Sequence, residues 1–107
     1  AEQGVVLVKN DGLLPLSTPE RVAVIGPNAD ERYAMLGCYS FPTHVVSQHP
    51  GVEMGIHIDT VLDAVRAEFA NARVTHLAGT GIDDGATAAI GTAAETAKNA
   101  DVAILVL

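Results

Sequence analysis

Residues 21–30, RVAVIGPNAD, decide the fold of this chain. Val22, Ala23, Val24 and Ile25 form an unbroken apolar run. A strand covered on both faces reads this way, whereas a strand with one wet face alternates. Gly26 and Pro27 end the run: proline has no N–H to give a ladder, and glycine permits a sharp exit. Asn28 and Asp30 both suit the N-cap of a following helical turn. Strand, tight turn and helix start within ten residues open a parallel α/β sheet, whose ligand crevices lie outside the carboxyl ends of the strands.

Upstream, VVLVK at 5–9 is β-branched and predicts an extra strand. Asp11-Gly12 is a turn pair. Leu13-Leu14-Pro15-Leu16 is a short apolar plug, expected to pin a connecting segment onto the body, since Pro15 excludes a central strand. Downstream, residues 31–57 lack clear periodicity. A helical turn through Tyr33, Met35 and Leu36 is expected, ended by Gly37. The stretch from Cys38 to His44 then combines two aromatics, a proline, hydroxyls and a histidine and reads as a loop. Irregular stretches of this length inside a domain tend to be functional or disordered, and the aromatic content argues against disorder.

The clearest helix spans 59–69, with Thr60 and Asp63 as a capping box and Val61, Leu62, Val65 and Phe69 on one face. A second strand at 74–78 ends in Gly79-Thr80-Gly81. Asp83 or Asp84 is expected to cap a helix running to Lys98, with Ala86, Ile90, Ala93 and Ala97 facing the sheet. Asp101 precedes a third strand, again apolar, from Val102 to the end. The fold class is therefore α/β: a Rossmann-like three-layer α/β/α sandwich with a mainly parallel sheet and right-handed crossovers. A chain that stops directly after a buried strand is read as a partial domain.

Composition narrows the function. Of 107 residues, 49% are hydrophobic, yet there are only two Tyr, two Phe and no Trp, so the core must be built from Val, Ile, Leu and Ala. Six Lys/Arg against thirteen Asp/Glu give a formal charge of −7, and no basic stripe offers a nucleic-acid surface. The apolar run at 102–107 is far short of the roughly 20 residues a membrane span needs. A single cysteine, Cys38, excludes an internal disulfide; it lacks a neighbouring base and reads as a small packing residue. No signal-peptide pattern opens the chain, which leaves its location open.

Few residues offer chemistry. His44, His49, His57 and His76 have no metal-site spacing. Gly79-Thr80-Gly81 and Gly26-Pro27 follow strands but lack the G-x-G-x-x-G pattern of a dinucleotide loop, so no cofactor is expected. The candidates that remain are Tyr39, Ser40 and His44, on a stretch whose aromatic and hydroxyl groups suit a binding cleft or a domain contact beside it.

Four segments in order, AEQGVVLVKNDGLLPL, RVAVIGPNAD, GCYSFPTH and NADVAILVL, resemble the C-terminal α/β-sandwich domain of glycoside hydrolase family 3, which includes β-glucosidases and β-xylosidases. The resemblance implies that residues 1–20 link an upstream barrel to this domain and that 21–107 are its N-terminal part. It also implies a parent hydrolase that cleaves β-linked glucosides or xylosides with retention, through two carboxylates about 5–5.5 Å apart. In the family the nucleophile is an aspartate of the barrel, and the acid/base is usually a glutamate further along the second domain. Neither motif occurs here. The chain is thus expected to hold no catalytic residue, to be inactive alone, and to supply cleft wall and inter-domain contact. The implied partners are a carbohydrate substrate and the parent's own barrel. The alternative is a self-standing Rossmann-like binding or regulatory module without hydrolase activity.

Overall fold

In the computed structural model, which describes residues 2–83 and 85–107, the apolar run after Arg21 is the central strand of a three-stranded sheet. Strand β1 (Arg21–Ile25) pairs in parallel with β2 (Arg73–Leu77) on one side and β3 (Val102–Leu105) on the other. The order is β2-β1-β3, with Val24 opposite His76 and Ile104. Its position explains the unbroken apolar pattern. Val22, Ala23, Val24 and Ile25 are all buried, because one layer of side chains covers each face.

The helices α1 (Phe41–Gln48), α2 (Val61–Glu68) and α3 (Ile90–Lys98) complete the fold. Val22 and Val24 pack with Ala29 and Leu62, flanked by Val65, Phe69, Val74, Ile104 and Val106. Ala23 and Ile25 point the other way, to Ala93, Ala97 and Ala100. Alternate residues of one strand thus serve α2 on one face and α3 on the other, which makes three layers. Helix α2 begins as its sequence predicts. Thr60 Oγ1 accepts from the Asp63 N–H at 3.0 Å, and Asp63 Oδ2 accepts from the Thr60 N–H at 3.1 Å. The Thr60 N–H first, and then the Thr60 hydroxyl, hold the Asp63 carboxyl below its usual range.

The turn leaving β1 is fixed by Gly26. Its φ is +138°, and a Cβ there would overlap the Val106 carbonyl. The closeness follows from pairing: the Gly26 N–H donates to Leu77 O at 3.1 Å and the Val106 N–H donates to Ile25 O at 2.8 Å, so the ladder continues on both sides of the exit.

Several expectations are corrected. Residues 5–9 form no strand: Val5, Val6, Leu7 and Val8 are exposed and make no ladder bonds. A β-prone run becomes a strand only when an edge receives it. The leucine plug pins the chain loosely. Leu13 and Leu14 are exposed, Leu16 is half-buried beside Val102, and Asn10 Oδ1 accepts from the Gly12 and Leu14 N–H groups instead. The helix expected from residue 84 starts at Ile90, with Ala89 as an N-cap that makes no side-chain bond. Gly85 adopts φ +64°, and the Thr80 hydroxyl donates to Ala86 O at 2.8 Å, so the chain turns back before it can coil. Asp83 is exposed in that turn, Asp84 lies outside the described residues, and Ala86 and Ile90 are exposed rather than facing the sheet. Cys38 is exposed, not packed. Neither Asn28 nor Asp30 caps the turn after β1: Glu31 does, accepting from the Tyr33 N–H at 2.8 Å.

Candidate functional site

The connection leaving the carboxyl end of β1 carries Tyr33, Tyr39 and Phe41 together with the hydroxyls of Ser40, Thr43 and Ser47. It opens with a tight turn in which the Ala29 N–H donates to Gly26 O, then a 3₁₀ turn, Arg32–Met35, as the sequence predicts. The stretch read as a loop from Cys38 to His44 is instead the head of α1. Ser40 is the N-cap: its hydroxyl accepts from the Thr43 N–H at 3.4 Å and lies 2.7 Å from Thr43 Oγ1. Pro42 sits in the first turn, where its missing N–H has no partner to lose. Ser followed by a proline two residues on is a helix-start signal. It was masked by the aromatic and β-branched neighbours, which weaken the helical pattern.

The fold brings Tyr39 and His44 side by side and gives Ser40 a different role. Tyr39 is 88% exposed and its ring faces that of His44, with centroids 6.1 Å apart and planes tilted by 36°. Phe41, the first residue of α1, is 79% exposed. None of these rings packs into the core. Ser40 is half-buried and its hydroxyl is engaged with Thr43, so it shapes the turn that presents Tyr39 and His44. The result is an exposed ring surface flanked by an imidazole, which offers a flat apolar face for stacking and ring nitrogens for hydrogen bonds.

The remaining titratable groups are dispersed. His57 Nε2 pairs with Asp59 Oδ1 at 2.8 Å, and His76 Nδ1 lies 2.9 Å from the Val24 carbonyl. Among the described residues no three His, Cys, Asp or Glu side chains are grouped to hold a metal ion. Among the described residues no helix is long and apolar enough to cross a membrane.

The feature that sequence reading missed lies at the opposite end of the sheet. Asp101 Oδ1 accepts from Arg21 Nη2 at 2.6 Å and Nε at 3.2 Å, while Oδ2 accepts from the Arg21 and Glu20 N–H groups. The guanidinium and the backbone donors hold the Asp101 carboxyl below its usual range. An Asp before an apolar run reads only as a turn residue, and its partner is 80 positions away.

Residues 5–107 match the family described as the glycosyl hydrolase family 3 C-terminal domain. The chain is 36% identical over 104 residues to a probable exo-1,4-beta-xylosidase of Neosartorya fischeri, and equally to one of Aspergillus fumigatus. It is 33% identical over 118 residues to a beta-xylosidase of Formosa agariphila. These alignments take in 97% of the chain for the first two and 100% for the third, but only 12% and 14% of the relatives' own lengths.

Proposed function

The chain belongs to the glycosyl hydrolase family 3 C-terminal domain family, and we propose that it serves a parent enzyme that cleaves β-linked xylosides with retention. In this reading residues 1–20 link an upstream barrel to the domain, and 21–107 begin the α/β sandwich. The activity in the relatives' names supports a xyloside over a glucoside as the parent's substrate. Double displacement needs a nucleophilic carboxylate and an acid/base, and both lie outside this chain. What the chain contributes is the cleft wall: Tyr39 and Phe41 as a stacking surface, His44 as a hydrogen-bonding edge, and Ser40 as the cap that holds them in place.

The observation that carries this role is the exposure of Tyr39 and Phe41 on the connection leaving the carboxyl end of β1. That is the side of a parallel sheet where ligand crevices form. Rings so exposed gain nothing for the stability of this chain, and apolar surface left bare marks a contact with something else. The exposed run from Val5 to Val8 supports a barrel contact by the same reasoning.

The test is made in the parent enzyme. Tyr39→Ala and His44→Ala should lower kcat/KM on an aryl β-xyloside by about 5- to 150-fold, as the loss of one good contact worth about 1–3 kcal/mol would, at unchanged Tm. Unchanged kinetics with a lowered Tm would reject the cleft role. The 107-residue chain by itself should not turn over that substrate, and turnover abolished by replacing any of its own Asp or Glu residues would overturn the placement of the chemistry.

A further inference from the structure

Residues 31–59 form an excursion between the exit of β1 and α2. None of them is buried. Their hydrogen bonds, from the Tyr33 N–H on Glu31 to His57 on Asp59, all close within the segment itself. The body holds it at the neck. There the Leu62 N–H donates to the carbonyl of the fully buried Ala29 at 2.9 Å. Beside that bond, the Thr60 hydroxyl donates to Asp30 Oδ1 at 3.3 Å. Thr60 is only 3% exposed, and the same oxygen accepts from the Asp63 N–H, so one hydroxyl joins the start of α2 to the end of the β1 turn. The charge of Arg32 reaches Asp63 at the same neck.

A segment with no buried residue has little to fix its orientation except the points where it enters and leaves. We propose that Asp30 and Thr60 are positioning residues, whose hydrogen bond closes the neck and sets where the excursion carries Tyr39 and His44. The latch is a property of this chain; its consequence for substrate rests on the cleft role proposed above. The capping box and the latch use different sides of the Thr60 hydroxyl, which accepts for one and donates for the other. Removing the Asp30 carboxylate therefore opens the latch and leaves the helix start intact.

The only cysteine of the chain, Cys38, is exposed on the excursion and gives a labelling site that needs no engineering. A second spin label on Ala67→Cys, at an exposed position of α2, allows the distance distribution between excursion and body to be measured by pulsed electron paramagnetic resonance. Asp30→Ala should broaden that distribution by about twofold, the behaviour of a segment freed at its neck, with unchanged helical circular dichroism. Asp30→Asn, which keeps Oδ1 as acceptor, and Thr60→Ser, which keeps the hydroxyl, should leave it narrow. An unchanged width in Asp30→Ala overturns the latch, as does equal broadening in Asp30→Asn. In the parent enzyme Asp30→Ala should raise KM by about tenfold with little change in kcat, since misplaced contacts are costly in binding and orientation. A broadened distribution with wild-type KM upholds the latch and rejects the cleft role, so the two can fail separately.

Discussion

Asp101 grips Arg21 with both carboxylate oxygens, one on the guanidinium and one on the backbone N–H, and so ties the start of β3 to the start of β1. The Asp101 pKa is lowered in the fold, chiefly by the side-chain bonds to Arg21. A depressed carboxylate stabilises the folded state above its unfolded pKa, and that contribution is lost as pH falls through the folded value. Thermal unfolding from about pH 7 down to about pH 3 should therefore show an acid-side fall in Tm that is shallower in Asp101→Asn, whose Tm is already lower at neutral pH. Because the pair is partly exposed, added salt should shrink the difference. Parallel pH profiles for the two proteins would refute the clamp.

Gly26 and Gly12 both have positive φ, but only Gly26 faces a backbone carbonyl at close quarters. Gly26→Ala should cost about 2–4 kcal/mol, combining strained backbone with overlap on Val106. Gly12→Ala, with nothing within 4 Å, should cost only about 1–2 kcal/mol. Urea unfolding of both variants tests this, and equal losses would show that the close approach to Val106 is not what matters.

Leu62 is 1% exposed at the centre of the larger core cluster, whereas Val6 is 77% exposed. Leu62→Ala should lose about 2–5 kcal/mol of stability. Val6→Ser should change it by less than about 0.5 kcal/mol. A clear loss in Val6→Ser would mean that residues 5–9 are paired in the folded chain after all.

Ser40 and Tyr39 are neighbours with different duties. Ser40→Ala removes the N-cap of α1 and should cost that helix about 0.5–2 kcal/mol, read as lost helical circular dichroism and faster amide exchange over 41–48. Tyr39→Ala should leave both unchanged, because its ring is exposed. Loss of α1 in Tyr39→Ala would show that the ring supports the helix and count against its proposed place in the cleft.

What the sequence determined by itself is local in origin. The apolar run after Arg21 specified a doubly covered strand, because burial on two faces removes the alternation that water would impose. Thr60 and Asp63 specified the start of α2, since a capping box needs only residues three apart. The segments that mark the family are likewise short and continuous. Where local signals conflicted, the sequence misled: Ser40 and Pro42 start a helix inside an aromatic stretch, and Gly85 breaks the helix expected from residue 84. Tertiary structure alone decided what depends on partners remote in the chain. Residues 5–9 have strand propensity but no edge to receive them, so they stay extended and bare. Asp101 met Arg21 only once β1 and β3 lay side by side. Asp30 met Thr60 only once α2 settled on the sheet and brought the two ends of the excursion together. A propensity is a property of a residue and its neighbours, whereas a pairing is a property of the packed chain.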